Sequence, residues 1–187
     1  TVVCGMGGGK TMDTAKAVAD KFHAAVVIIP TTASTDAPTI GLSVIYDDEG
    51  NHLGARHYAK NPDLVLIDTD VISKAPIRFL VAGMGDALCH ETILSKGVRA
   101  KMAAEQKLCT IDVEDVIEAN TLLSGLGVQN SSCAGSHSIA EGITILPACR
   151  RLLHGEAVAF GILVQLLIEG RDEAEVDEMY RFFEAVG

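Results

Sequence analysis

Three polar side chains stand against apolar surroundings in the second half of the sequence. They are Asp86 in AGMGDALCHE, His137 in AGSHSIAEG and His154 in LLHGEAVAFG. One carboxylate and two imidazoles make an adequate donor set for a divalent cation, with positions left for water and substrate. Separations of 51 and 17 residues put the three on different helices. That arrangement suits an open catalytic site better than a compact structural one. Each residue also lies near a glycine, which permits close approach of a neighbouring backbone. The rival reading is that a histidine at a helix start caps or packs and binds nothing. His90, four residues after Asp86, shares its helical face and could join the set. His23, His52 and His57 sit beside charged or polar residues and read as surface groups.

A second constellation is the stretch GMGGGKT at 5–11. Two phosphate-binding patterns fail on it by one residue each. The nucleoside-triphosphate loop G-x-x-x-x-G-K-[ST] requires a glycine where Cys4 stands. The dinucleotide fingerprint G-x-G-x-x-G, begun at Gly5, ends on Lys10. The setting nevertheless fits an anion. An apolar run, Val2-Val3, enters the turn, and a helix leaves it with Met12, Ala15, Val18, Ala19 and Phe22 on one expected face. Free N–H groups and the positive end of the helix dipole then point into the turn. The reading is a phosphate cradle of unsettled type; the alternative is a tight strand-to-helix turn that holds nothing.

The elements that must position these groups divide the chain into α/β followed by all-α. Residues 1–75 alternate strand and helix. A strand is expected over 25–29, followed by the loop PTTASTDAPT, and a β-hairpin over 42–46 and 53–58 around DDEGN. The run DLVLID at 63–68 reads as a further buried strand, because it is continuously apolar as parallel central strands are. This makes 1–75 part of a Rossmann-like cofactor domain. Residues 76–187 are helical. Pro76 suits a helix start before IRFLVAG, a second stretch is expected from Asp86 to about residue 108, and Asp112 is a plausible N-cap for VEDVIEANTLLSGLG. Further helices are expected over 132–146, 154–169 and 173–186; the acidic DEAEVDE reads as a solvated face.

Composition narrows the classes. Hydrophobic residues at 48% of 187 suffice for a core, and aromatics at 4% with no Trp make it aliphatic. A net charge of −10 argues against nucleic acid, since no basic stripe is available to displace counterions. No apolar run is long enough to span a membrane. Five cysteines, odd in number and without C-x-x-C, fit reduced thiols in a cytoplasmic setting. Thr1 stands at the head of a buried-looking strand, which is the expectation for a fragment.

Several strings taken together resemble one family. GMGGGKTMDTAK, PTTASTDAPT with LSVIY, KNPDLVLIDTDVISKAPIRFLVAGMGDAL, IEANTLLSGLG and HGEAVAFG run in order as in the metal-dependent, iron-containing-type alcohol dehydrogenases, on their glycerol dehydrogenase branch. The resemblance implies an NAD-dependent, zinc-dependent polyol dehydrogenase that oxidises glycerol to dihydroxyacetone, with a cofactor domain and a helical metal-binding domain. It implies that Gly7, Gly8, Gly9 and Lys10 lie against the NAD pyrophosphate. Thr31, Thr32 and Ser34, with Leu42 and Tyr46 beside them, would contact the cofactor towards the nicotinamide. Asp36 would hydrogen-bond the polyol, and Asp86, His137 and His154 would bind Zn²⁺ and form the catalytic centre.

The resemblance also has gaps. The family carries a further βαβ region before the glycine loop, a longer stretch between Asp86 and His137, and a last helical region. Ile40 stands where the family usually has Ser, and Glu141 where a second His often lies. The expectation is a shortened form with weakened activity and poor NAD affinity. It would associate with its own copies, because an uncovered sheet edge invites pairing. Two alternatives follow: a non-catalytic, degenerate oligomerising module, or another iron-type alcohol dehydrogenase in which His90 is a fourth ligand.

Overall fold

In the computed structural model, residues 1–48, 52–89, 113–125, 128 and 134–187 are described. The chain opens with strand β1 (Val2–Gly7), helix α1 (Gly9–Lys21) and strand β2 (Ala25–Pro30). An antiparallel hairpin, β3 (Leu42–Tyr46) and β4 (His52–His57), follows, and then the short β5 (Leu64–Val65). The three parallel strands lie in the order β1-β2-β5. β1 and β2 pair from Val2 opposite Ala25 to Gly7 opposite Pro30. Alternate residues of β2 point to opposite faces. Val26 and Ile28 meet Met12, Ala15 and Ala19 of α1 to form the core of this half. Gly5 allows α1 to pack closely on β1: a Cβ there would stand 2.5 Å from that of Ala15.

Two sequence expectations change here. The buried face of α1 is Met12, Ala15, Lys16 and Ala19, at positions i, i+3, i+4 and i+7. Val18 and Phe22 lie on the solvent side, Phe22 with 67% exposure. The run at 63–68 is not a buried central strand. Only Leu64 and Val65 enter the ladder, at the edge of the described sheet, and Leu64, Leu66 and Ile67 are exposed. A continuous apolar run is what a strand covered on both faces requires, but coverage is set by what packs over it.

Helices follow. α2 (Thr69–Ser73), which the sequence reading missed, starts at Asp68, whose carboxylate accepts from the N–H groups of Asp70 and Val71. α3 (Ile77–Cys89) runs without a break through Gly83, Gly85 and Asp86, so Asp86 lies inside a helix that begins just after Pro76. α4 (Val113–Ile117) passes into a π-helical turn, Glu118–Leu123. Then come α5 (Gly135–Ile143), a 3₁₀ turn at Pro147–Cys149, α6 (His154–Ile168) and α7 (Glu173–Val186). The expected helix beyond residue 89, the Asp112 cap and His90 lie outside the described residues. The core of this half joins Leu88, Ala140, Ala157, Val158, Ile162, Leu166 and Met179. Among the described residues no helix is long and apolar enough to cross a membrane. Cys4, Cys89 and Cys149 form no disulfide.

Candidate metal centre and the loop beside it

Glycines bring the three polar helical residues together. A Cβ on Gly155 would stand 1.6 Å from the carbonyl oxygen of Ala82, and one on Gly85 would stand 2.5 Å from that of Gly155. α3 and the start of α6 therefore cross backbone against backbone. Gly161 repeats the device against α5, where a Cβ would meet the Ser136 oxygen at 2.2 Å. Polar contacts fix the ends. Glu156 accepts from the Leu153 N–H at 2.8 Å and from Arg78 at 2.5 and 2.7 Å, joining the first turns of α3 and α6. Gln165 of α6 accepts the Ser136 N–H at 2.8 Å, satisfying a free donor at the N-terminus of α5.

Asp86, His137 and His154 thereby converge, with ligand atoms within 4.8 Å of one another. Asp86 is fully buried, His137 is buried and His154 is half-exposed. The Nε2 atoms of His137 and His154 stand 3.4 and 3.3 Å from the same carboxylate oxygen, Asp86 Oδ1. Neither contact makes a proper hydrogen bond, and both oxygens of this buried carboxylate lack a hydrogen-bond partner among the described residues. A buried carboxylate without a hydrogen bond is costly, and a cation between it and two imidazole nitrogens removes that cost. The donor set fits a divalent ion on this ground.

Charges in the site act on one another. Burial alone would raise Asp86, but the rings of His154 and His137 hold it well below the usual carboxylate range. Burial disfavours the His154 imidazolium, yet the Asp86 carboxylate, helped by Asp36 and Glu141, lifts it to about 9. Asp36 is pushed up to about 7 by burial and then by the Asp86 charge, with His154, His137 and Lys16 opposing. Asp36 is thus in electrostatic reach of the triad, although it comes from the other half of the chain. Cys89, which the sequence reading passed over, has Sγ 3.3 Å from His137 Nδ1 and 3.7 Å from Nε2. Near-equal distances put the sulfur over the ring rather than along one N–H direction. It is a packing contact.

The loop after β2 carries the remaining expected residues. Thr31 N–H donates to the Gly7 oxygen at 3.1 Å, Thr32 and Ser34 hydroxyls lie 3.3 Å apart, and Gly8 faces Thr32. Gly7 has φ +153°, a conformation side chains disfavour, and a Cβ on Gly9 would meet nothing within 4 Å. The glycine turn and the Thr/Ser loop are therefore adjacent. Lys10 places its ammonium 5.1 Å from the ring centre of Tyr46, and Leu42 lies half-buried at the opposite end of β3. Two residues missed in the sequence pin this loop. Lys16, 3% exposed, reaches its carbonyls from α1, and the fully buried Asn120 donates to the Ala33 oxygen at 3.2 Å from the π-helical turn. The signal for Lys16 was its place in the i, i+3, i+4, i+7 stripe; Asn120 left none.

Known proteins supply the context. Residues 1–69 match the family described as iron-containing alcohol dehydrogenase. A glycerol dehydrogenase of Thermotoga maritima is 44% identical over the whole of this chain. The solved structure of a probable glycerol dehydrogenase from Sinorhizobium meliloti superposes with a TM-score of 0.87 at 41% identity, covering 100% of this chain and 61% of that one. That of glycerol dehydrogenase from Schizosaccharomyces pombe gives 0.86 at 37%, covering 100% and 56%. The chain spans about 60% of the length of the curated relatives it matches.

Proposed function

The chain belongs to the iron-containing alcohol dehydrogenase family, and from that premise we propose that it works as an NAD-dependent, zinc-dependent polyol dehydrogenase converting glycerol to dihydroxyacetone. The observation that carries this reading is the buried Asp86 carboxylate, without a hydrogen bond and flanked by two imidazole nitrogens. Asp86, His137 and His154 would hold the metal ion. When bound, the ion supplies Lewis acidity towards an alcohol hydroxyl, and NAD supplies the hydride acceptor.

The chain's own residues bind and orient. Gly7, Gly8, Gly9 and the first amides of α1 receive the pyrophosphate, helped by the helix dipole and the Lys10 charge. Thr31, Thr32 and Ser34 line the approach to the nicotinamide, and Leu42 and Tyr46 flank it from the hairpin. Asp36 takes a polyol hydroxyl. Holding alcohol and acceptor in one geometry replaces a random encounter with a positioned step. The net change sends a hydride to NAD and a proton to solvent. The reduced thiols suit a cytoplasmic setting.

The test is NADH absorbance on adding glycerol to the zinc-loaded protein, repeated after chelation and after Asp86→Asn. Glycerol-dependent NADH that disappears in both controls supports the reading. Zinc binding without any turnover assigns the chain to the non-catalytic alternative. Turnover that survives Asp86→Asn refutes the metal role.

A further inference from the structure

The sequence DTAK places a lysine on the buried face of α1, and nothing in the proposed chemistry uses it. Lys16 is 3% exposed, and its ammonium is 2.8 Å from Asp13 Oδ1. It also donates to the carbonyl oxygens of Ala37 at 3.0 Å, Ile40 at 3.4 Å and Leu42. Three N–H bonds thus serve a carboxylate and three carbonyls drawn from one short arc of loop. An apolar residue would fill the same stripe without the cost of burying a charge. What the ammonium adds is the gathering of oxygens that the loop cannot satisfy within itself.

Asp36 immediately precedes this arc. Its carbonyl accepts from the Thr39 N–H at 3.1 Å and the Thr39 hydroxyl at 3.2 Å, while Lys16 holds the next residue, Ala37. Asp13 carries the tether onward: its carboxylate accepts the Val44 N–H at 3.0 Å and its carbonyl accepts the Ser43 hydroxyl at 2.9 Å. On the other side, Asn120 and the missing side chain of Gly83 fix Ala33. We propose that Lys16 is a positioning residue for the substrate loop, setting Asp36 against the Asp86–His137–His154 centre and setting the hairpin beside it. The inference rests on the reading that Asp36 meets the polyol.

The experiment uses the full chain, first metal-free and then loaded with Co²⁺ as a coloured stand-in for zinc. In Lys16→Met, amide exchange over residues 35–42 is expected to accelerate about tenfold or more, with α5 and α6 unchanged. Co²⁺ affinity stays within about twofold, while the glycerol concentration that half-perturbs the visible Co²⁺ spectrum rises about tenfold. A cavity of about 320 Å³ lies beside the Lys16 stem, lined in part by Ala19, Tyr58 and Asn61. Lys16→Ala with added propylammonium is accordingly expected to recover most of the loss, and tetramethylammonium, which has no N–H, is not. Should Lys16→Met not fold, Lys16→Gln, which keeps two N–H donors, gives the same local pattern in smaller measure.

Loop exchange and glycerol response within twofold of wild type overturn the inference, and so does acceleration spread evenly over all helices. Asp36→Asn separates the two readings. If it leaves the glycerol response unchanged, the role of Asp36 fails; if it weakens the response while Lys16→Met does not, only the role of Lys16 fails.

Discussion

The tripeptide Gly-Met-Gly occurs twice, at 5–7 and at 83–85, and the two copies do different work. In the α/β half Gly5 and Gly7 are crowded by Ala15 and Thr11, but the glycines that follow them open into space: Gly8 has only the Thr32 hydroxyl at 3.9 Å, and Gly9 has nothing within 4 Å. In the helical half they are pressed against backbone. A Cβ on Gly83 would be 1.8 Å from the Ala33 oxygen, and one on Gly85 would be 2.5 Å from the Gly155 oxygen. One set leaves open space at the turn; the other removes room so that Asp86, His137 and His154 converge. Glycine identity therefore does not say which job is done. The neighbours in space decide it.

The comparison can be broken most severely at Gly155. Gly155→Ala forces α3 and α6 apart, and a destabilisation of about 3 kcal/mol is expected from overpacking. Metal affinity should fall with it, measurable by urea unfolding and chelator competition. A variant as stable as wild type would mean the helices can separate freely. Next in size is Asp86→Asn. It should keep the fold yet lose metal affinity by about 100-fold or more, since a ligand outweighs the outer partners whose loss costs 10–100-fold. Unchanged Zn²⁺ binding by titration calorimetry would exclude the triad.

The pH response sharpens the same point. His154 is raised to about 9, against about 6.5 unfolded. In the metal-free protein its ion pair with Asp86 contributes stability fully below about 6.5, and that contribution is lost as pH rises through about 9. Metal binding must expel this proton. Zinc affinity should therefore climb up to about tenfold per pH unit until about pH 9, with proton release detectable calorimetrically in buffers of different ionisation heat. A flat profile between pH 6.5 and 9 would show that His154 is not protonated there. The smallest effect is expected at Gly9. Gly9→Ala should leave stability within about 0.5 kcal/mol, because nothing crowds the new methyl, while NAD affinity by fluorescence quenching drops about tenfold if the methyl meets the pyrophosphate. Equal NAD affinity would return the glycine turn to a purely conformational role.

Much of the site was legible because its residue types are poor packers. A carboxylate and two imidazoles among alanines and leucines stand out, and each came with a glycine. The strand β2, the hairpin signalled by DDEGN, α6 and α7 followed from periodicity and turn residues. The misreadings have a common cause. Val18 and Phe22 were assigned to the core for being apolar, and Lys16 was passed over, although the helical stripe favoured Lys16. DLVLID was taken as buried for the same reason. Hydrophobicity was weighed above position, and position was right.

The amino-acid order by itself determined the donor chemistry, the α/β-then-helical layout and the family, because those depend on local types, spacing and ordered strings. Only the tertiary structure decided that Asp86 is a buried carboxylate without a hydrogen bond, that Asp36 lies within its field, and that Lys16 gathers the loop between them. Each of those depends on distances between segments far apart in the chain. Burial and charge act through space, and local sequence does not encode which segments will meet.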